Sequence, residues 1–238
     1  MSNMKLKGFY WNLKLRPFRF SKYFFRFSEF FNYDEREKFL WKAFDYLRSN
    51  RLDGDYIEFG LSEGKTFIAS IHISKFMGNN LKEMRFIGFD SFEGLPKPKG
   101  IDVNDFEHFK EGDYAFSYEN FIKKLKKLKI NLSKVILIRG WFDNTLNKKT
   151  KDTNKIDKAA FVFIDCDLYE STVPVLKFIT PLLQNGTLLA FDDWYCFRGD
   201  ENKGQQKAVR EWLKRNPKFK LIPQLDFHWG GKCFIVRK

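Results

Sequence analysis

Apolar positions change their spacing repeatedly along the chain. Residues 34–48 (DEREKFLWKAFDYLR) put Phe39, Leu40, Ala43, Phe44 and Leu47 at helical spacing, with acids in the first turn where the helix dipole favours them. That spacing predicts a helix. Beyond it, short apolar runs alternate with amphipathic stretches. Strands are expected at Asp55–Gly60 and Met84–Phe89, and at Lys134–Arg139, Ala159–Ile164 and Thr187–Phe191, the last three being short apolar runs, as strands covered on both faces should be. Helices are expected at Lys65–Met77, from Ser117 onward with Phe121, Leu125 and Leu128 on one face, at Ser171–Leu183 and at Gln205–Arg215. This alternation means βαβ units and therefore an α/β fold with a doubly wound, mostly parallel sheet. The rhythm breaks at the end: Phe219–Pro223 and Cys233–Val236 flank a loop containing Gly230-Gly231, which suggests a closing antiparallel hairpin at the sheet edge. In such sheets ligands bind outside the carboxyl ends of the strands, so polar residues there are the candidates for function.

Composition narrows the class. The 238 residues are 43% hydrophobic and include 29 Phe and 6 Trp, which excludes a wholly disordered chain. No uncharged apolar run reaches the roughly 18 residues of a membrane-spanning helix. Lys5, Lys7, Lys14, Arg16 and Arg19 interrupt the N-terminal region, so no signal peptide is read and a cytoplasmic location is expected. Cys166, Cys196 and Cys233 are odd in number and far apart, the pattern of reduced thiols and not of a zinc or redox motif. The net charge of +13 is concentrated at the two ends: residues 1–51 carry 12 Lys and Arg against 5 Asp and Glu, and residues 202–238 carry 10 against 2. The expected organisation is a basic, aromatic arm with its helix over residues 1–51, followed by one domain over residues 52–238.

The chemistry collects at strand ends. Glu58-Phe59-Gly60-Leu61-Ser62-Glu63-Gly64-Lys65-Thr66 closes the first strand and opens a helix; its glycines permit a tight turn and close backbone approach to a cofactor. Simple turn glycines are the other reading. Asp90, ending the second strand, can accept both hydrogen bonds of a ribose diol. Asp165, Asp167, Asp192 and Asp193 follow two apolar runs, so four carboxylates are expected at neighbouring strand ends. Like charges so close raise one another's pKa unless something positive lies between them. All-carboxylate ligation suits Mg²⁺, Mn²⁺ or Ca²⁺ and not zinc. Helix capping is the alternative: Asp167 would cap the helix at Ser171, and Asp192 or Asp193 the one downstream.

The run FVFIDCDLYESTVPVLKFITPLLQNGTLLAFDDW, together with YIEFGLSEGKT, GFDSFEGLP and RGWFDNTL, resembles the macrocin O-methyltransferase family of class I S-adenosylmethionine-dependent methyltransferases over about residues 52–236. The resemblance implies a Rossmann-like, seven-stranded sheet with a C-terminal antiparallel hairpin. It also implies S-adenosylmethionine as methyl donor, a divalent metal (Mg²⁺ foremost) and a sugar hydroxyl as acceptor, carried on a nucleotide sugar, a glycan or a glycosylated natural product. By motif, Glu58 and Gly60 lie along the methionine part of the cofactor, Asp90 on its ribose, and Gly140, Trp141 and Phe142 near its adenine. Ser62, Gly64 and Thr66 in the same turn, Ser91 beside Asp90, and Asp165 complete the expected cofactor contacts. Asp165, Asp192 and Asp193 hold the metal, and Asp167 is the general base.

Two other functions compete. A nicotinamide-dependent oxidoreductase uses a similar sheet, but G-x-G-x-x-G is missing and the acidic cluster is extra. A non-enzymatic module would bind nucleic acid or anionic membrane through the basic ends. Nucleic acid is not the expected partner. The arm, residues 1–33, mixes basic residues with Phe9, Trp11, Phe18, Phe24 and others, and is expected to cover the enzyme's own cleft or a second subunit of a homo-oligomer, with peripheral membrane contact as the remaining option. Arg16, Arg19 or Lys22 would then face a phosphorylated acceptor. His72 reads as structural, His108 as part of a mobile loop over Asp102–Asp113, and His228 as a candidate for the acceptor pocket. Cys166 reads as a core residue, and the lysines of residues 123–129 as a solvated helix face.

Overall fold

The computed structural model describes residues 35–103 and 109–238. The arm of residues 1–33 and His108 lie outside them. The described chain begins with helix α1 (Glu35–Ser49), whose buried stripe is the expected Phe39, Leu40, Ala43, Phe44 and Leu47. Five parallel strands follow: β1 (Asp55–Phe59), β2 (Phe86–Asp90), β3 (Val135–Arg139), β4 (Ala159–Ile164) and β5 (Leu188–Phe191). Between them run α2 (Lys65–Met77), α3 (Tyr118–Lys127), α4 (Phe142–Thr145), α5 (Lys148–Asn154) and α6 (Tyr169–Ile179). The chain then adds α7 (Gly204–Arg215) and the hairpin β6 (Lys220–Phe227) and β7 (Gly231–Arg237). The order β3-β2-β1-β4-β5-β7-β6 makes one seven-stranded sheet in which β7 runs antiparallel to both of its neighbours.

Strand alternation divides the core between the two faces. Phe161 and Phe163 face α1, α2 and α3, whereas Val162 and Ile164 face α6 and α7. Helix α1 is fixed by aromatic contact: Phe39 stacks on Phe227 at 4.0 Å between centroids and meets Phe161 edge-on at 6.0 Å. The chain order reverses between β1 and β4, so the crevice opens above the carboxyl ends of those two strands.

Three expectations change. The helix expected from Ser171 starts at Tyr169, and its cap is not Asp167. Asp102 takes the amides of Tyr169 and Glu170 at 2.8 and 3.0 Å, so a carboxylate from a distant loop satisfies this helix N-terminus. The Asp102–Asp113 stretch, read as mobile, is therefore anchored in its described part: Asp102 and Phe109 are buried, the latter against Leu95, Leu168, Cys196 and Phe197. Strand β6 also runs past Pro223, which sequence reasoning took as its end. It is the outermost strand, where proline is tolerated in a sheet, and its register shifts between Pro223 and Leu225.

Candidate active site

The strand ends enclose a cleft of about 1340 Å³. On one side lies the turn after β1. Gly60 has φ +86°, and a Cβ there would overlap the carbonyl of Asp165, so glycine is what lets the ends of β1 and β4 close together. Gly64, at φ +71°, precedes α2 with its Cα against the ring of Phe121, again with no room for a side chain. Both glycines are thus explained by packing, and both line the cleft.

Asp90 organises this turn: its carboxylate accepts from the amides of Leu61 at 2.5 Å, Ser62 at 3.1 Å and Phe92 at 2.5 Å. Ser91 accepts from the amide of Glu93 and donates to the carbonyl of Gly94. Ser62, Gly64, Thr66, Asp90, Ser91, Gly140, Trp141 and Phe142 all line the cleft. Glu58 does not line it. It points from β1 toward α2, fully buried, and accepts hydrogen bonds from Thr66 Oγ1 at 2.5 Å and from the Tyr56 hydroxyl. Burial pushes its pKa up to about 8, although both hydrogen bonds pull it down.

On the other side lie the carboxylates. Asp165, Asp167 and Asp193 bring one ligand atom each to within 4.8 Å of one another. Asp167 sits in the left-handed region at φ +60°, which aspartate tolerates better than most residues, and its amide donates to Asp193 Oδ2 at 3.1 Å. Gln205, buried at the start of α7, accepts from the Asp193 amide at 3.0 Å and donates toward its Oδ2 at 3.4 Å; the Cys196 thiol donates to Oδ1 at 3.6 Å. Burial raises the pKa of all three carboxyls well above the usual range, and the neighbouring acids raise it further. Among the described residues, no Lys, Arg or His forms an ion pair with any of the three.

Asp192 stands apart from this trio. It is 3% exposed, and Arg36 of α1 grips both its oxygens, Nε to Oδ1 at 2.8 Å and Nη2 to Oδ2 at 2.6 Å, while His228 Nε2 lies 3.1 Å from Oδ1. Burial raises its pKa, but the His228 and Arg36 bonds prevail and hold the carboxyl below its ordinary value. The fourth acid expected beside the metal is therefore paired with the Arg36 guanidinium and hydrogen-bonded to His228. Sequence reasoning missed Arg36, Gln205 and Asp102. Arg36 is 156 positions from Asp192 and carries no local signal; a glutamine opening an amphipathic helix reads as solvent-facing.

The same sheet occurs in class I methyltransferases of known structure: the chain superposes on the O-methyltransferase NovP with a TM-score of 0.69 at 22% identity, covering 86% of this chain and 80% of that one. For the calicheamicin methyltransferase CalS11 the score is 0.66 at 18% identity, covering 94% and 83%. At these identities the likeness concerns the fold. The sequence decides the family: residues 33–216 match the family described as Macrocin-O-methyltransferase (TylF), and the chain belongs to it. Its relatives include the mycinamicin III 3''-O-methyltransferase of Micromonospora griseorubida, 25% identical over 179 residues, 73% of this chain and 65% of the relative. Another is the 8-demethyl-8-(2,3-dimethoxy-alpha-L-rhamnosyl)-tetracenomycin-C 4'-O-methyltransferase of Streptomyces olivaceus, 27% identical over 145 residues, 59% of this chain and 53% of the relative. The matches span between about half and two thirds of these relatives' length.

Proposed function

We propose that this chain transfers a methyl group from S-adenosylmethionine to a sugar hydroxyl, assisted by a divalent cation. The observation that carries this reading is the convergence of Asp165, Asp167 and Asp193 in one cleft with the turn held by Asp90. Family membership supports the transfer, and the relatives' names favour a glycosylated small molecule as acceptor.

The donor set fits a hard cation such as Mg²⁺ or Mn²⁺: it is all carboxylate oxygen, and its mutual repulsion is relieved by positive charge. Asp165 and Asp193 are assigned as the residues that hold it. When bound, the cation would favour the ionised form of the acceptor hydroxyl and fix its orientation. Asp167, the third member, is assigned as general base: it would take the proton of the acceptor hydroxyl while the methyl group's bond to sulfur is exchanged for one to that oxygen, a contribution of ~10²–10⁴-fold. Asp192, expected as a ligand, is assigned instead to holding α1 and the β6–β7 turn through Arg36 and His228. Ser62, Gly64 and Asp90, with Trp141 and Phe142, would hold the cofactor; Glu58 supports their turn from beneath. Burial in the cleft and fixed orientation supply much of the remaining advantage. No covalent enzyme intermediate is needed, consistent with Cys166 being buried against Thr172.

The test is a screen of nucleotide sugars and glycosides with radiolabelled S-adenosylmethionine, alongside calorimetric titration with S-adenosylhomocysteine and with NAD. Labelled sugar and binding of S-adenosylhomocysteine alone are expected. Binding of NAD without S-adenosylhomocysteine would overturn the reading in favour of an oxidoreductase.

A further inference from the structure

The β6–β7 turn, residues 228–230, carries a side chain that the reaction so far leaves without a task. Trp229 is 69% exposed, although tryptophan ordinarily buries most of its surface. It also lines the cleft that holds the carboxylates. Among the described residues, the large apolar side chains left exposed include Phe76, Leu132 and Ile222, but only Trp229 and Tyr114 line this cleft. Scattered exposed apolar groups need no explanation; a pair at the mouth of an acidic cleft does.

The turn is pinned rather than loose. His228 Nδ1 accepts from the Gly230 amide at 3.0 Å, which leaves the proton on Nε2 and makes it the donor to Asp192 Oδ1 at 3.1 Å. The carbonyl of Gly230 accepts from the Tyr195 amide at 2.9 Å. His228 itself adopts φ +42°, and its ring stands edge-on to Trp229 with 6.1 Å between centroids. Asp192 in turn is clamped by Arg36. The indole therefore projects from a rigid base beside the carboxylates.

A pyranose has polar hydroxyls around its rim and an apolar C–H face. Carboxylates suit the rim, and a flat, exposed ring suits the face. We infer that Trp229 is the platform on which the acceptor's pyranose ring stacks, aimed by the His228–Asp192 hydrogen bond. This inference rests on the sugar O-methyltransferase reading above and names the residue that selects its acceptor.

The experiment compares wild type with Trp229→Ala, Trp229→Phe and the distant control Phe76→Ala. Each is tested for S-adenosylhomocysteine affinity, melting temperature, and transfer kinetics on a panel of methyl pyranosides and sugar 1-phosphates, which carry no aromatic group. At least one panel member should be methylated. For it, Trp229→Ala should raise KM about tenfold while kcat changes less than about threefold and S-adenosylhomocysteine affinity is kept. Trp229→Phe should recover most of the loss, and Phe76→Ala should match wild type. An unchanged KM in Trp229→Ala, or a protein that binds S-adenosylhomocysteine yet accepts no pyranoside, overturns the inference. A wild type that fails to bind S-adenosylhomocysteine overturns the reading beneath it.

Discussion

Asp165, Asp167 and Asp193 share one small volume but have different neighbours. Asp193 is fixed by the Asp167 amide, the Cys196 thiol and Gln205, which suits a ligand that must not move. Asp167 sits on the turn between β4 and α6 at a backbone angle few residues adopt. Asp165→Asn should weaken Mn²⁺ binding at least tenfold, whereas Asp167→Asn should retain the ion and lower kcat by ~10²–10⁴-fold. Equal losses of Mn²⁺ in both variants would make Asp167 a third ligand. Glu58 gives a second prediction at this scale. Its folded pKa of about 8 lies above the unfolded carboxyl value, so the folded state holds an extra proton between the two. Stability tied to Glu58 is complete below the unfolded pKa and is lost as pH rises toward 8. Glu58→Gln cannot ionise, so its melting temperature should fall less between pH 5 and pH 8 than that of wild type. Parallel curves would mean that Glu58 is not the titrating group. The four aspartates were legible because each follows an apolar run. The clamp on Asp192 was not, because Arg36 and His228 reach it from opposite ends of the described chain.

At the scale of elements, the least local feature is the start of α6. Leu168 occupies the N-cap position and offers no acceptor, so the helix depends on Asp102. Losing a charged cap with two amides costs about 2 kcal/mol. Asp102→Ala should lower the melting temperature by about 4–8 °C, with Asp102→Asn intermediate. An unchanged melting temperature would show that solvent replaces the cap. Helix periodicity predicted α1, α2 and α7 to within a residue or two, since each buries an apolar stripe. It missed α5, whose sequence KKTKDTN has no apolar position to reveal a period. That helix is defined by its ends, Asn147 accepting from the Thr150 amide at 2.9 Å and Lys155 closing it in the left-handed region.

For the whole molecule, alternating apolar runs were enough to foretell a mostly parallel sheet with a closing hairpin, because buried strands and amphipathic helices leave different periods. They could not supply the lateral order β3-β2-β1-β4-β5-β7-β6, which depends on pairing between distant segments. That order is what gathers the turn after β1, Asp90, Trp141 and the aspartates around one crevice. With a cation proposed as the partner of that crevice's carboxylates, the rate of labelled methyl transfer to an accepted sugar should be measured with Mg²⁺ and with excess EDTA. Chelation should abolish turnover, restored by Mg²⁺ or Mn²⁺, while S-adenosylhomocysteine still binds. Full activity in EDTA, with no metal retained on the protein, would contradict it.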